Sequence, residues 1–96
     1  MIRSFRNRLA EDLFHERRTA GTRRFPPELR GAAQRKLQFL NAATILSDLA
    51  VPPGNRLEAL KGDRGGSHAI RINDQWRIVF RWERDGVAAV EVTDYH

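Results

Sequence analysis

The sequence of 96 residues contains no cysteine, one tyrosine and one methionine, and it has no long apolar run. Without cysteine, neither a disulfide framework nor a thiolate zinc site can form, so the fold must be stabilised by packing. No stretch approaches the ~18 apolar residues of a membrane span, and residues 1–5 lack the apolar core of a signal peptide. We therefore expect one domain over residues 1–96, located in the cytoplasm and without contact with a membrane.

Positive charge is plentiful and unevenly distributed. Residues 1–36 carry ten Lys and Arg against four Asp and Glu, a net charge of +6, whereas residues 37–96 carry seven against eight. Fifteen of the 17 cations are arginine, whose planar guanidinium binds phosphate and carboxylate through two parallel hydrogen bonds. This composition favours an anionic partner, either nucleic acid or an acidic protein. A bias towards arginine from a GC-rich genome is the compositional alternative.

The first half of the sequence has helical periodicity. After Asn7, a plausible N-cap, apolar residues recur at helical spacing and predict a first helix from about residue 8 to residue 17. We expect a charged loop next, in which Gly21 ends the helix. The loop contains four arginines, which are either solvated or contact phosphate, namely Arg17, Arg18, Arg23 and Arg24. Pro26-Pro27 then opens a second helix, whose apolar stripe consists of Leu29, Ala33, Leu37 and Leu40.

From Asn55 onward the apolar period changes to two, which is typical of strands. A short strand begins at Leu57 and ends at Lys61-Gly62, after a helical turn around residues 45–49. Apolar residues then occupy every second position through residues 70–72 and 76–82, and polar residues occupy the positions between them. The pattern predicts an antiparallel meander with one apolar face and one polar face.

The register of this meander follows from its two faces, because a slip of one residue would move polar side chains into the core. A three-residue loop at residues 73–75 places Arg71 directly opposite Arg77 on the polar face. By the same argument we predict a three-residue loop at residues 84–86, which pairs Phe80 with Val90 and Arg77 with Thr93.

Two arginines directly opposite each other on a strand pair repel at a cost of up to about 1 kcal/mol, and a bound anion would remove that cost. The Arg71–Arg77 pair therefore favours a phosphate site. The alternative is that both side chains are hydrated or paired with Asp74, Glu83 or Asp94. The segment Asp94-Tyr95-His96 follows the last strand, and its unperturbed pKa values of roughly 4, 10 and 6.5 suit general acid–base chemistry. A solvated tail is the simpler explanation for this segment.

The segments that carry a family resemblance are Arg23-Arg24-Phe25-Pro26-Pro27-Glu28-Leu29, Asn41-Ala42-Ala43, residues 49–60, Ile70-Arg71-Ile72-Asn73-Asp74-Gln75-Trp76-Arg77 and Asp94-Tyr95-His96. Together they resemble the HigB branch of the RelE/ParE superfamily of bacterial toxins, and the resemblance covers most of the chain. It implies a small α+β fold, with two main helices packed on one face of a three- to four-stranded antiparallel sheet.

The resemblance also implies an activity, that of a ribosome-dependent endoribonuclease that cuts messenger RNA in the decoding site without a metal or other cofactor. In that family the ribose 2′-OH attacks the adjacent phosphate. The implied catalytic residues are Asp94, Tyr95, His96, Arg71 and Arg77. His96 would act as the leading base or acid with Asp94 as its partner, Tyr95 would bind or stack, and the arginines would stabilise the phosphate. RNA and ribosome contacts are expected from Lys61, Arg17, Arg18, Arg23 and Arg24.

A toxin of this kind implies a cognate antitoxin, which the resemblance gives as a HigA-like protein with a helix-turn-helix domain that binds operator DNA. Two other functions remain open. One is a ParE-like toxin that poisons DNA gyrase by contact without cutting, and the other is a plain RNA-binding module. The Asp94-Tyr95-His96 segment favours the nuclease, since a pure binding protein does not need it. His68 is either an ordinary residue at the start of a strand or a group at the edge of the substrate site.

Overall fold

The computed structural model describes residues 1–94, which form three helices and one four-stranded antiparallel sheet. The helices are α1 (Arg8–Phe14), α2 (Ala20–Arg24) and α3 (Pro27–Ala42), and the strands are β1 (Glu58–Ala59), β2 (Ser67–Arg71), β3 (Trp76–Glu83) and β4 (Gly86–Asp94). Single 3-10 turns lie at Leu46–Ala50, Pro53–Asn55 and Gly62–Arg64. The predicted α+β class is confirmed. No helix within residues 1–94 is both long and apolar enough to cross a membrane.

The helix ends show which local signals the sequence carries. The side chain of Asn7 accepts a hydrogen bond from the Ala10 backbone N–H at 3.0 Å, so Asn7 is the N-cap of α1 as predicted. The helix ends at Phe14, three residues before the predicted position. The plain loop predicted next was wrong, because α2 forms within it. Thr19 and Thr22 each accept the other's backbone N–H through their hydroxyl groups, and this reciprocal capping nucleates the single turn.

The core lies between the helices and the inner face of the sheet, which we define as the face packed against α1 and α3. Its fully buried members include Leu13 of α1, Leu37 and Leu40 of α3, and Ile78 and Phe80 of β3. Three of the four residues of the predicted α3 stripe are buried, and Leu29 is half-buried. Burial of a leucine side chain contributes about 2 kcal/mol, so this stripe fixes α3 on the sheet.

The strand order is β1-β2-β3-β4, and the register at the centre agrees with the prediction. Arg71 pairs with Arg77, Arg77 pairs with Thr93, and Ile78 pairs with Val92. The three-residue loop at residues 84–86 was wrong, since Glu83 pairs with Gly86 across a two-residue loop. β4 contains a β-bulge between Ala88, the partner of Arg81, and Glu91, the partner of Val79, and Ala89 has a φ of 52° there. The extra residue of the bulge compensates for the shorter loop, so inward and outward side chains alternate as predicted beyond it.

The segment before α1 lies along β4, on the side away from β3. Ile2 forms a parallel bridge with Val87, and Phe5 forms one with Val90. The Asn7 side-chain amide also donates to the Val92 carbonyl at 2.9 Å. This segment therefore extends the sheet beyond β4 through two isolated bridges.

The outer face of the sheet carries Arg71 and Arg77 but is not uniformly polar. Leu60, Ala69 and Val79 form a second small buried cluster there. Beside it, Glu91 of β4 is only 8% exposed and is ion-paired with Arg64 of the turn between β1 and β2. The pair fastens that turn to the outer face, and its buried carboxylate depends on the guanidinium for compensation.

Gly86 occupies a position that other residues cannot enter without strain. Its φ is +147°, and a Cβ built there would lie 2.6 Å from the Arg3 Cγ and 2.7 Å from the Met1 carbonyl oxygen. We expect Gly86→Ala to lower the free energy of unfolding by about 2–3 kcal/mol, measured by urea denaturation. The matched control is Gly54→Ala, since a Cβ there would have no heavy atom of the described chain within 4 Å apart from those of its two chain neighbours. Equal stability of the two variants would contradict the close approach of the N-terminal segment to β4.

Candidate functional site

Three chemistry-bearing residues meet where β2 ends, β3 begins and β4 ends. Arg71, Arg77 and Thr93 form one row across the outer face, and the next row pairs Trp76 with Asp94. We call Arg71, Arg77 and Asp94 the sheet-end site. The antiparallel register alone brings these residues together, although they are up to 23 positions apart in the sequence.

Arg71 has a carboxylate partner in its own turn. It forms an ion pair with Asp74, and its side chain is 22% exposed whereas that of Asp74 is 94% exposed. The ion-pair alternative raised by the sequence is therefore observed for Arg71. A pair with such an exposed carboxylate contributes little to stability, so exchanging Asp74 for a phosphate oxygen costs little.

Arg77 is half-buried and is held by the turn between β2 and β3. Its Nη1 donates to the backbone carbonyls of Asn73 and Trp76, the latter at 3.2 Å. The Asn73 side chain in turn accepts the backbone N–H of Gln75 at 3.0 Å and that of Trp76 at 2.7 Å. This Asx-type turn fixes the position of the Arg77 guanidinium before any ligand arrives.

Asp94 lies at the exposed end of β4, and its Oδ2 accepts a hydrogen bond from the Gln75 side-chain amide at 2.8 Å. Because Asp94 pairs with Trp76, strand alternation places it on the inner-face side rather than in the Arg71–Arg77 row. It therefore flanks the two arginines. Tyr95 and His96 lie outside the described residues, and their assignment as catalytic groups stays a prediction.

Lys36 of α3 is a further cation near this site that the sequence did not single out. Its Nζ donates to the side-chain oxygen of Asn55, which is 2% exposed and donates in turn to the Leu49 carbonyl at 3.1 Å. Burial lowers the pKa of Lys36 below its ordinary value, and the positive charges of Arg71 and Arg35 lower it further. Repulsion from Arg71 indicates that Lys36 adds to the positive potential at the sheet-end site.

The lowered pKa of Lys36 predicts a measurable response to loss of Arg71. We expect Arg71→Gln to raise this pKa towards its ordinary value, observed by a pH titration of the Lys36 ¹³Cε resonance, whereas Arg81→Gln should leave it unchanged. Between the lowered pKa and about 10.4 the unfolded chain binds more protons than the folded one. The contribution of Lys36 to stability therefore increases with pH across that window. An unaltered Lys36 titration in Arg71→Gln would show that the two cations do not interact.

The predicted RNA-contacting residues fall into three places. Lys61 follows β1 near Ser67, four residues from Arg71 along β2, and so lies roughly 13 Å from the sheet-end site. Arg17, Arg18 and Arg23 line one cleft on the helical side. Arg24 lines a separate groove beside α1. Arg24 is followed by Phe25, whose ring packs against Trp76, the strand partner of Asp94, with centroids 4.9 Å apart, so α2 ends close to the sheet-end site.

The two histidines among the described residues each pack against a phenylalanine ring. The ring of His68 stacks on Phe80 with centroids 6.1 Å apart, on the inner face, and its buried Nδ1 has no hydrogen-bond partner within residues 1–94. His68 is therefore not part of the outer face. His15 packs edge-on against the ring of Phe14 at 5.0 Å. Among the described residues, no group of three His, Asp or Glu side chains is close enough to hold a metal ion.

The fold has a close counterpart among solved structures. A chain of the YoeB–YefM complex from Staphylococcus aureus superposes with a TM-score of 0.61, over all of this chain and 98% of that chain, at 15% sequence identity. The α+β fold described for residues 1–94 is therefore shared with that chain.

Sequence comparison identifies the family to which the chain belongs. The chain is 46% identical to Toxin HigB-1 of Vibrio cholerae over 74 residues, which is 77% of each protein. It is 31% identical to Endoribonuclease HigB of Proteus vulgaris over the full length of both. Residues 3–96 match the family described as the RelE-like toxin of the type II toxin–antitoxin system HigB. The chain belongs to this family of HigB-like toxins, as the sequence motifs predicted, and its partner is an antitoxin.

Proposed function

We propose that this toxin is an endoribonuclease that cleaves messenger RNA on the ribosome, without a metal ion or other cofactor, and so inhibits translation. The observation that carries the proposal is the Arg71–Arg77 pair, held directly across two strands beside Asp94 at an exposed end of the sheet. A relative that matches the whole chain is named an endoribonuclease, which supports the same reaction class.

The reaction needs a base for the 2′-hydroxyl, stabilisation of the charge on the phosphate, and a proton for the leaving 5′-oxygen. The ribose 2′-oxygen loses its proton and attacks the adjacent phosphorus, and the bond from phosphorus to the 5′-oxygen breaks, leaving a cyclic phosphate and a 5′-hydroxyl end. Arg71 and Arg77 would stabilise the charge that builds on the phosphate oxygens. Asp94, Tyr95 and His96 are proposed to move the protons, with His96 as the leading base or acid, Asp94 as its partner, and Tyr95 binding or stacking.

The ribosome would supply the alignment that this small open site lacks. In-line attack requires the 2′-oxygen to lie opposite the leaving oxygen, and most of the rate gain in such reactions comes from this orientation. We propose that Lys61, Arg17, Arg18, Arg23 and Arg24 contact RNA or the ribosome. They do not belong to the Arg71–Arg77 row, so they would act in docking rather than in bond cleavage.

The proposal extends to regulation and location. The antitoxin is proposed to be HigA-like, with a helix-turn-helix domain through which the complex binds its operator DNA. Both proteins would act in the cytoplasm, where ribosomes and messenger RNA are present.

The test is to map RNA 5′ ends in cells that express the protein and in reactions with purified ribosomes and messenger RNA. New 5′ ends within codons, formed only when ribosomes are present, are the expected result. Cleavage of naked RNA at the same rate would contradict ribosome dependence. Intact messenger RNA together with gyrase-dependent breaks in DNA would contradict the nuclease and favour the ParE-like function.

A further inference from the structure

A basic cleft lies on the helical side of the protein, where the end of α1 meets α2 and α3. Its volume is about 550 Å³, within the range of small-molecule sites. The lining residues that concern its charge are Glu16, Arg17, Arg18, Arg23, Arg30 and Gln34. Four guanidinium groups against one carboxylate make it a strongly positive concavity.

One of these arginines is held in place by the protein itself. Arg17 Nη1 lies 3.3 Å from the Asp12 carboxylate and 3.6 Å from that of Glu11, and Asp12 is 2% exposed. Arg17 lines the cleft, and the two carboxylates behind it, which do not line the cleft, neutralise part of its charge. The remaining positive charge comes from Arg18, Arg23 and Arg30.

Arg30 of α3 provides the more specific observation. Its Nε is buried and has no hydrogen-bond partner among residues 1–94. A buried donor on a cation is energetically unfavourable when it lacks an acceptor. An anion in the cleft would supply that acceptor, and the amide of Gln34 lies one turn along α3 as a further neutral donor.

The cleft is separate from the sheet-end site. Arg30 and Gln34 belong to α3, whose buried residues Ala33 and Leu37 pack on the inner face of the sheet, whereas Arg71 and Arg77 project from the outer face. Neither Arg71 nor Arg77 lines the cleft, so a ligand bound there does not contact the arginines proposed for cleavage.

We infer that this cleft is a phosphate-binding site, in which Arg30, Arg18 and Arg23 bind the phosphate oxygens. A guanidinium matches the oxygens of a phosphate with two parallel N–H donors, which suits a cluster of arginines better than a point cation would. The phosphate belongs either to an RNA backbone or to a free nucleotide. The inference rests on the proposed function for Arg18 and Arg23, which are proposed there to contact RNA or the ribosome, and deepens it by adding Arg30 and naming phosphate as the bound group; it requires no cleavage.

The test uses the full chain with ¹⁵N-labelled arginine and follows the Nε–Hε resonances during titration. The probes are inorganic pyrophosphate and a short single-stranded RNA whose 2′-hydroxyls are methylated to prevent cleavage. We expect the Arg30 Nε–Hε resonance to shift and saturate. Arg30→Gln and Arg23→Gln should each weaken binding at least tenfold, and Arg30→Lys should weaken it too, because lysine keeps the charge and loses the planar donors.

The matched control is Arg84→Gln, which removes the same charge from the exposed turn between β3 and β4 and should change affinity less than twofold. Saturation by RNA alone assigns the phosphate to a nucleic-acid backbone, and equal binding of pyrophosphate assigns it to a free compound. An Arg30 resonance that responds to neither probe overturns the inference, as does an Arg84→Gln variant that binds as weakly as Arg30→Gln. Arg77→Ala should retain binding in the cleft, so a failed cleavage proposal and a failed phosphate site give different results.

Discussion

Arg77→Ala is expected to lower the rate of messenger RNA cleavage on ribosomes by at least about 100-fold, the scale on which one transition-state donor acts. The side chain is positioned by the carbonyls of Asn73 and Trp76, so its guanidinium needs little reorganisation as charge develops on the phosphate. It is half-buried at the margin of the sheet, and its loss removes no member of the main core. We therefore expect the free energy of unfolding to fall by no more than about 1 kcal/mol.

The measurement is primer extension on ribosome-bound messenger RNA, together with thermal unfolding of each variant. Arg81→Ala is the matched control, because Arg81 lies four residues along β3 on the same outer face, more exposed, and pairs with Glu83. It should cleave within about twofold of the unaltered protein. If a folded Arg77→Ala protein cleaves at the full rate, the outer-face arginines do not stabilise the phosphate.

His96→Ala is expected to have an effect of similar size. Loss of a general acid–base group usually lowers a rate by ~100-fold or more. The buried Val90 and Val92 of β4 and the pairing of Val92 with Ile78 of β3 are retained, so the chain should fold normally. Added imidazole should restore part of the cleavage if the missing ring carried a proton, and this rescue separates a chemical role from a structural one.

The control for this variant is His15→Gln, which removes an exposed imidazole at the end of α1. Cleavage by His15→Gln should match that of the unaltered protein and should not respond to imidazole. Full cleavage by His96→Ala would remove the histidine from the proposed mechanism and shift support to the gyrase-type function.

The sheet and the Arg71–Arg77 pair could be predicted because buried and exposed side chains alternate along each strand, and this alternation fixes the register. A strand with one buried face cannot slip by one residue, so the apolar pattern alone sets which side chains are opposite one another. The bulge at Ala89 was missed because it compensates for a shorter loop. A loop one residue longer and a shorter loop followed by a bulge give the same pattern of buried residues at Ile78 and Val92.

The environments of Lys36 and Arg30 could not be predicted from the apolar periodicity of α3. Both lie on α3 outside its apolar stripe, where a charged residue ordinarily indicates a solvated helix surface. Their significance depends on distant neighbours, Asn55 and Arg71 for Lys36 and the arginines after α1 for Arg30. The capping by Thr19 and Thr22 was local and detectable, but two threonines are a weaker signal than the usual threonine and glutamate.

The bridges of Ile2 to Val87 and of Phe5 to Val90 can form only after β4 has been synthesised. A nascent chain emerges from its amino end, so the segment before α1 is exposed to solvent until β4 has been made and has left the ribosomal tunnel. Until then Phe5 lacks its strand neighbour, and the Asn7 amide cannot reach the Val92 carbonyl. Contacts that span some 85 residues close slowly compared with local ones. Asp94 is the last residue of β4, so the sheet-end site cannot be complete before β4 has been translated.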